Sequence, residues 1–238
     1  MALASLEDEP DDLPDDLVDA DDVLRWATDA FPRITLATSL GPQSIVILHL
    51  LQRLGRPVRT LLLDTGLLFD ETLAFAKTVE AHFGIAIERV RPTQTPLEQA
   101  RTNGAALFRL DPDRCCHLRK VVPLRRALEG QQAWITGLRR DQSASRATVE
   151  PLAWDAAHDI VKVSPLAFWT RNEVLSRIKS HNLPHHPLLT QGFTSLGCRT
   201  CTRRPLDPND ERSGRWHHSR KTECGIHRSP TPVRELKP

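Results

Sequence analysis

The sequence lacks the features that would place the protein in a membrane or outside the cell. No apolar run reaches the length of about 18 residues that indicates a membrane-spanning helix. The N-terminus also lacks the basic and then apolar order of a secretory signal. We therefore predict a cytoplasmic protein without membrane contact. Because thiols stay reduced in the cytoplasm, the five cysteines are interpreted as ligands or reactive groups before they are interpreted as disulfides.

Positive charge is absent from the first 22 residues, which hold ten acidic side chains and no lysine or arginine. Since the whole chain has a net charge of +2, the remainder carries +12. We predict that residues 1–22 are an acidic, disordered lead-in to a helix. The positively charged remainder suits an anionic ligand. Nucleic acid is disfavoured, because acidic residues are interleaved in the basic C-terminal segment and no recognition motif accompanies it.

Apolar runs of strand length alternate with helical patterns along most of the chain. Strands are predicted at 34–39, 58–65, 85–91, 133–138 and 159–166, and helices at 44–54, 71–83 and 171–182. Thr170 and Glu173 form a capping-box pattern that opens the last of these helices. Continuous apolar strands separated by helices predict an α/β fold, in which a parallel, twisted sheet has helices on both faces.

Three loops follow predicted strands at the edge where such sheets bind ligands. ATSLGPQS (37–44) offers backbone N–H groups and hydroxyls ahead of a helix N-terminus, which favours an anion such as phosphate. LDTGLLF (63–69) is a second loop of turn-forming residues, and the arginines of GLRRDQSASR (137–146) could hold phosphate or sulfate. The alternatives are ordinary turn chemistry and a solvated basic loop. The chain has neither a Walker A loop nor the G-x-G-x-x-G fingerprint.

Four of the cysteines occur in two pairs. Cys115 and Cys116 are adjacent, and Cys198 and Cys201 form a C-x-x-C motif. Adjacent cysteines bridge only with strain, because neighbouring Cα atoms lie about 3.8 Å apart, whereas bridged Cα atoms are usually about 4.4–6.8 Å apart. Four thiols match both a structural zinc ion and a four-iron, four-sulfur (4Fe-4S) cluster. Adjacent thiols favour the cluster, since each can reach a different iron; zinc and unligated or redox-paired thiols are the alternatives.

Cys224 lies alone in an aperiodic segment that also contains Arg220, Lys221 and His227. Cations near a thiol stabilise the thiolate, which is the nucleophilic form. Gly225, the next residue, permits an unusual backbone conformation. We interpret Cys224 as a nucleophile; the alternative is a small buried hydrophobic residue.

Together these segments resemble the phosphoadenylyl/adenylyl sulfate reductase family, and specifically its cluster-containing adenylyl sulfate branch. The matching segments between residues 33 and 228 are ATSLG, LDTGLLFDET, CCHLRK, WITGLRRDQSASR, GCRTC, ERSGRW and ECGIH. The resemblance implies a fold like that of the adenine-nucleotide α-hydrolases. It also implies one 4Fe-4S cluster, with the ligands Cys115, Cys116, Cys198 and Cys201.

The implied reaction is the thioredoxin-dependent reduction of adenosine 5′-phosphosulfate (APS) to sulfite and AMP in sulfate assimilation and cysteine biosynthesis. Cys224 would carry a cysteine S-sulfonate, which thioredoxin or a glutaredoxin-like reductant would cleave. The substrate-binding residues carried over by position are Thr38, Ser39, Gly41, Leu63, Thr65, Lys120, Gly137, Arg146, Arg212, Arg215 and His227. A homo-oligomer is compatible with this interpretation.

The expected organisation has three parts. Residues 1–22 form the acidic segment, residues 23–205 an α/β nucleotide-binding and iron–sulfur domain, and residues 206–238 an irregular C-terminal flap that carries Cys224 and closes over bound nucleotide.

The chain departs from many relatives at Pro42, Gln43 and Ser44, where they carry acidic residues, and it has no tyrosine. Relatives that use 3′-phosphoadenylyl sulfate commonly lack the cluster cysteines, so APS is favoured over that substrate or a dual specificity. An ATP-pyrophosphatase-like adenylating enzyme would need an SGGxDS-type loop, which ATSLGPQS is not. A non-catalytic iron–sulfur or zinc-binding module would leave Cys224 and the arginines without a purpose.

Overall fold

Six strands form one mixed sheet in the order β3-β2-β1-β4-β6-β5. They are β1 (Ile34–Thr38), β2 (Arg59–Leu63), β3 (Ile87–Val90), β4 (Ala133–Ile135), β5 (Leu152–Asp155) and β6 (Ile160–Val163). The helices are α1 (Ala20–Ala30), α2 (Pro42–Arg53), α3 (Asp70–Phe83), α4 (Pro96–Asn103), α5 (Leu107–Leu110), α6 (Pro112–Cys116), α7 (Val122–Leu128), α8 (Arg171–Ser180) and α9 (Pro187–Thr190). This computed structural model describes residues 13–14, 16–207 and 210–227.

The predicted α/β fold is confirmed. Strand β1 pairs in parallel with β2 and β4, β2 pairs with β3, and β4 pairs with β6. These strands correspond to the predicted ones, and helices α2, α3 and α8 correspond to the predicted helices. The capping box is also confirmed, because the Thr170 hydroxyl accepts from the Glu173 N–H and the Glu173 carboxylate accepts from the Thr170 N–H.

The edge strand β5 was not predicted, and it runs antiparallel to β6, with Leu152 opposite Val163. Its four residues, LAWD, contain an apolar run of only three residues, and Ala153 and Trp154 are only partly buried. An edge strand is paired on one side and is not enclosed like a central strand. Its sequence therefore lacks the signal by which the parallel strands were recognised.

Apolar clusters lie on both faces of the sheet. Leu62 and Ile135 belong to the larger cluster, which includes residues of α1, α2, α3 and α8. Leu61 and Trp134 belong to a second cluster with residues of α7. Because successive side chains of a strand point to opposite faces, neighbouring apolar residues supply both clusters. This is why the central strands read as continuous apolar runs.

The ends of the chain are described only in part. Asp19 caps α1, so the last residues of the acidic segment 1–22 begin that helix. The prediction of disorder is wrong at Leu13 and Leu17, which pack against the larger apolar cluster. Residues 1–12 and 15 lie outside the described residues, as do 208–209 and 228–238 of the predicted flap. The boundaries between the three predicted parts stay predictions. Among the described residues, no helix combines the length and hydropathy needed to cross a membrane.

The segment that follows α9 packs against the domain mainly through turns and backbone hydrogen bonds. Isolated bridges pair Cys198 with Leu68 and Thr202 with Arg215. The Trp216 N–H donates to the Cys201 carbonyl at 2.9 Å. These contacts bring residues that are distant in sequence to one end of the molecule.

His186 joins α9 to α3 as a neutral imidazole. Its Nδ1 accepts from the Leu188 N–H at 3.2 Å, so the proton lies on Nε2, which donates to the Thr72 hydroxyl at 2.9 Å. The ring packs edge-on against Phe75 with centroids 5.2 Å apart. Burial lowers the pKa of His186 to about 4, because the charged imidazolium would lose its hydration.

The free energy of unfolding should therefore decrease as the pH falls. The unfolded chain binds a proton at His186 near pH 6.5, whereas the folded chain binds it only near pH 4, so acid favours unfolding between these values. In denaturant unfolding across this range, the free energy of unfolding of His186→Gln should depend less steeply on pH than that of wild type. The difference in slope should correspond to the uptake of up to about one proton on unfolding. His82→Gln, which removes an exposed imidazole from α3, is the matched control. Equal slopes for wild type and His186→Gln would contradict the neutral assignment.

Candidate active site

A cavity opens at the carboxyl edge of the sheet, where the strand order reverses between β1 and β4. The predicted residues that line it are Thr38, Ser39, Gly41, Leu63, Lys120, Gly137, Arg146, Arg212, Arg215, Cys224 and His227. The fold thus brings together residues from strands β1 and β2, the loops after β1 and β4, the turn that follows α6, and the C-terminal segment. We call this cavity the anion pocket, because of the charges described below.

The loop between β1 and α2 presents a helix N-terminus to the anion pocket. Leu40 adopts a left-handed conformation with φ of 57°, and its N–H donates to the Thr38 hydroxyl at 2.9 Å. Pro42 is the first residue of α2, a position whose N–H is not needed by the helix. Gln43 and Ser44 also line the pocket. The helix dipole and free N–H groups at this end favour an anion, in agreement with the sequence interpretation.

The loop after β4 packs tightly against the loop after β1. A Cβ atom on Gly137 would lie 2.9 Å from the Cβ atom of Gln43, so only glycine permits this approach. Gln142 then fastens the arginine-bearing loop, since its Nε2 donates to the Gly137 carbonyl at 3.2 Å and its Oε1 accepts from Arg146. These contacts turn Arg146 into the pocket.

Three arginines meet in the pocket. Arg146 is buried and its Nε and Nη2 donate to the Glu223 carboxylate at 2.7 and 2.9 Å. Arg212 Nη2 donates to the same carboxylate at 3.1 Å. Arg215 Nη1 donates to the Leu196 carbonyl at 2.7 Å. Burial by itself would raise the pKa of Glu223, but the hydrogen bonds and charges of the two arginines hold it below its usual value.

A second, smaller cavity adjoins the anion pocket and contains the paired cysteines. Its lining includes Cys115, Cys116, Cys198 and Cys201, together with Phe108, Arg119, Lys120 and Trp216. All four thiols are free and buried. Lys120 and Trp216 line both cavities and therefore lie between them. We call this space the cysteine cavity.

A π-helical turn, His117–Val121, continues α6 directly after the adjacent cysteines. It buries Arg119 and Lys120 beside the thiols. Arg119 Nη1 donates to the Gln99 side chain at 2.9 Å, and Gln99 Nε2 lies 3.8 Å from the Cys115 sulfur. Such turns are frequent at functional sites because they redirect side chains within a helix.

Thr65 lies at the cysteine cavity, whereas the family resemblance places it against adenosine. Its hydroxyl is 3.2 Å from the Cys198 sulfur, and its carbonyl accepts from Arg119 Nε at 2.5 Å. In this structure Thr65 orients groups around the thiols, and it is Leu63 from the same loop that lines the anion pocket.

Burial dominates the electrostatics of the thiols. It raises the pKa of Cys116 to about 11 and also raises the pKa values of Cys115 and Cys201. Burial would lower the pKa of Lys120, but negative charge on Cys198, Cys224 and Cys116 raises it. Lys120 is therefore a cation that interacts with the sulfur atoms of three cysteines. Within the described ranges, no three His, Cys, Asp or Glu side chains converge on a point where a single metal ion could bind.

Cys224 lies at the junction of the two cavities. It packs against Cys116, Cys201 and Trp216. Gly225 has a φ of 50°, and a Cβ atom there would lie 3.2 Å from a methyl group of Val121. The glycine thus permits the turn that carries the thiol past the π-helical turn, as its position in the sequence indicated.

Two cations that interact with Cys224 come from outside its immediate sequence neighbourhood. Arg220 is exposed, and Lys221 forms an ion pair with Asp113 of α6. The charge of a Cys224 thiolate acts on Lys120 and Arg212, which reach it through the tertiary structure. The structure thus adds Lys120 and Arg212 to the cations that the local sequence placed near Cys224.

His227 stacks on Trp134, a residue that the sequence marked only as part of a strand. The two rings lie nearly parallel, at 9°, with centroids 5.6 Å apart. Trp134 Nε1 donates to the Asp155 carboxylate at 2.9 Å. Burial by itself would raise the pKa of Asp155, but hydrogen bonds from His158 and Lys162 lower it to about 2. The C-terminal segment therefore packs, through His227, on an indole ring that the hydrogen bond from Trp134 to Asp155 holds in place.

Sequence reasoning missed several residues of the pocket. The lining residues that it did not assign include Trp134, Gln142, Leu196 and Glu223. Three of them lie in segments that carry the family resemblance: Trp134 and Gln142 in WITGLRRDQSASR and Glu223 in ECGIH. Leu196 lies outside the matched segments, and contacts between distant segments bring all four residues to the pocket.

Comparison with known proteins gives a consistent set of relatives. Residues 33–204 match the family model described as the phosphoadenosine phosphosulfate reductase domain. The chain is 41% identical over 217 residues to adenosine 5′-phosphosulfate reductase 2 of Bacillus subtilis, covering 90% of this chain and 92% of that protein. It is 43% identical over 211 residues to adenosine 5′-phosphosulfate reductase of Salinibacter ruber, covering 87% and 83%.

A solved structure shares the architecture. The phosphoadenylyl-sulfate reductase of Candida auris, in its phosphate complex, superposes with a TM-score of 0.70 at 28% sequence identity. The superposition covers 78% of this chain and 90% of the Candida chain. The fold that positions the anion pocket is therefore shared with this structure.

Gly197→Ala should disturb the pocket through Arg215. A Cβ atom on Gly197 would overlap the Arg215 guanidinium, which must then leave Leu196. We expect the free energy of unfolding to fall by about 1–3 kcal/mol, and inorganic sulfate to bind more weakly. Denaturant unfolding and calorimetric titration measure the two effects. In an Arg215→Ala background the same substitution should cost much less. An equal cost in both backgrounds would contradict the close contact.

Proposed function

The chain belongs to the phosphoadenosine phosphosulfate reductase family, and we propose that it reduces APS to sulfite and AMP. One observation carries the proposal: the Cys224 thiol borders a pocket in which a helix N-terminus and three arginines present positive charge. A phosphosulfate group is a compact anion with an electrophilic sulfur. The pocket can hold such a group and set a nucleophile beside it.

In this proposal the anionic and adenosine parts of APS bind to different elements. The phosphosulfate contacts Ser39, the N-terminus of α2 and the arginines, where charge-assisted hydrogen bonds are strongest. The adenosine lies towards Leu63, where the β2 loop lines the pocket. His227 and Trp134 form the wall beneath Cys224.

The chemical step is a displacement at sulfur. The Cys224 thiolate attacks the sulfur of APS, a bond forms between the two sulfur atoms, and the bond from sulfur to the phosphate oxygen breaks. AMP leaves with that electron pair, and Cys224 becomes a cysteine S-sulfonate. The charge of the thiolate interacts favourably with Lys120 and Arg212. The arginines balance the charge that develops on the leaving phosphate.

A dithiol protein such as thioredoxin, or a glutaredoxin-like reductant, completes the cycle. Its thiolate attacks the Cys224 sulfur, sulfite leaves with the electron pair, and a mixed disulfide forms. The second thiol of the partner cleaves that disulfide and restores the Cys224 thiolate. The partner therefore supplies both electrons. Because Cys224 is only 9% exposed, its segment must open before a protein partner can reach it, which supports the flap interpretation.

APS is the proposed substrate rather than its 3′-phosphorylated form. The relatives with 41% and 43% identity are named adenosine 5′-phosphosulfate reductases, whereas the phosphoadenylyl-sulfate reductase of Candida auris is 28% identical. The chain also has the four paired cysteines that its 3′-phosphate-using relatives commonly lack.

We infer that Cys115, Cys116, Cys198 and Cys201 hold one 4Fe-4S cluster. The donor set fits, because four thiols line one buried cavity and the adjacent pair can reach different irons. The Thr65 hydroxyl, 3.2 Å from the Cys198 sulfur, and the Gln99 amide are placed to hydrogen-bond to ligating thiolates. When bound, the cluster would supply structural cross-linking and negative charge near Lys120. The displacement steps above need no electrons from it.

Replacing Cys224 by serine tests the nucleophile. Wild-type protein mixed with APS alone should release at most one AMP per active site, and the tryptic peptide containing Cys224 should gain the mass of one sulfonate. Cys224→Ser should bind APS but form no adduct, because a serine hydroxyl is a poor nucleophile at neutral pH. An adduct on another cysteine, or repeated sulfite release by Cys224→Ser, would refute the assignment.

Replacing any of the four paired cysteines by serine tests the cluster. Protein purified without oxygen should be brown and contain iron and acid-labile sulfide. Cys116→Ser and its three counterparts should lose the colour and most activity, since each iron needs its thiolate. Cys224→Ser is the matched control and should keep the colour. A full complement of iron and sulfide in Cys116→Ser, or zinc in a colourless wild type, would rule out the four-ligand assignment.

A further inference from the structure

The anion pocket contains an anion of its own, the Glu223 carboxylate. It accepts from Arg146 Nε and Nη2, from Arg212 Nη2 at 3.1 Å, and from the Ser145 hydroxyl at 3.3 Å. It is 7% exposed, so these contacts replace its hydration almost completely. A carboxylate that bridges two arginines in this way has the charge and planar acceptor geometry of a bound ligand.

The carboxylate occupies the donors that an external anion would need. The Nε and Nη2 edge of Arg146, which suits two oxygen atoms at once, is taken by Glu223, and Nη1 is directed to Gln142. Within the described part of the chain, Arg212 Nε and Arg215 Nε are buried and have no hydrogen-bond partner. The pocket therefore has spare donors next to a pair of arginines that is already occupied.

Electrostatics prevents Glu223 and a doubly charged ligand from sharing these arginines. Like charges within a buried site repel strongly, because little water screens them. The low pKa of Glu223 keeps the carboxylate charged at neutral pH. A phosphosulfate that reaches Arg146 must therefore replace the carboxylate.

We propose that Glu223 is an internal substitute for the substrate anion: it pairs with Arg146 and Arg212, as in this structure, and is displaced when the phosphosulfate binds. The inference rests on the proposed function of this pocket. The Glu223 carboxylate keeps both arginines hydrogen-bonded, and by competing for them it lowers the affinity of the pocket for the ligand.

The displacement has a direct consequence for the nucleophile. Glu223 and Cys224 are neighbours in the chain, so a carboxylate that leaves Arg146 moves the peptide that carries the thiol. Anion binding is thereby coupled to the position of Cys224. Glu223 is a positioning residue in this scheme, because it acts through the arginines and the backbone and does not touch the reacting atoms.

Calorimetric titration with adenosine and ADP tests the competition, since ADP carries an anionic diphosphate where APS carries its phosphosulfate and is not reduced. Glu223→Gln keeps the size of the side chain and removes its charge, so ADP should bind at least about fivefold tighter than to wild type, the equivalent of losing one charge-assisted contact. Adenosine should bind with unchanged affinity. Glu223→Asp, which keeps the charge, should stay within about twofold of wild type. Glu88→Gln removes an exposed charge on β3 and serves as the control.

Equal or weaker ADP binding by Glu223→Gln would overturn the proposal and make Glu223 a support for the arginines. A wild type that binds neither APS nor ADP would overturn the proposed function as well. A wild type that reduces APS, with no tightening in the variant, would overturn this inference alone.

Thermal unfolding provides a second test, which can be used even if the unpaired arginines destabilise Glu223→Gln. Sodium sulfate, compared with sodium chloride at equal ionic strength, should raise the melting temperature of Glu223→Gln more than that of wild type or Glu88→Gln. Sulfate then takes the place of the missing carboxylate. An equal or smaller rise in Glu223→Gln would refute the substitution.

Discussion

Lys120 lies buried between the anion pocket and the cysteine cavity, and its charge has to be balanced from both sides. A buried cation without partners would lose its hydration at a cost of several kcal/mol. The sulfurs of Cys116, Cys198 and Cys224 are the groups whose negative charge favours the charged form of Lys120. The cysteines and the substrate pocket therefore share one electrostatic balance. Buried positive charge in the pocket also needs a partner, which explains why Arg146 and Arg212 are hydrogen-bonded to the Glu223 carboxylate.

This balance depends on segments that are far apart in the sequence. The π-helical turn after α6 supplies Lys120, the loop after β4 supplies Arg146, and the C-terminal segment supplies Arg212, Glu223 and Cys224. They meet because parallel strands end at one edge of the sheet and because the C-terminal segment packs across that edge. Trp134 provides the surface on which His227 docks. A thiol, an anion site and a set of buried cations are thereby assembled at one place.

Regular elements of the fold were predictable because their signals are local. The central strands are enclosed on both faces and read as apolar runs, and the capping box at Thr170 satisfies backbone groups three residues away. Strand β5 was not predicted from the sequence, because it is short and two of its four residues are only partly buried. Thr65 was assigned to the substrate by its position in a motif, yet its hydroxyl faces Cys198. Side-chain direction at the end of a strand depends on what packs above it, which the motif does not encode.

The amino-acid sequence by itself determined which chemistry the protein can support. It supplies two pairs of thiols, one separate cysteine before a glycine, and arginines in three segments, and its hydrophobic pattern determines a parallel sheet. The tertiary structure decided which of these groups act on one another. Cys224 interacts with Lys120, which is more than 100 residues away, and Arg146 is paired with Glu223, 77 residues away. The physical reason is that hydrophobic periodicity acts over a few residues, whereas burial and charge pairing depend on distances that exist only after the chain has folded.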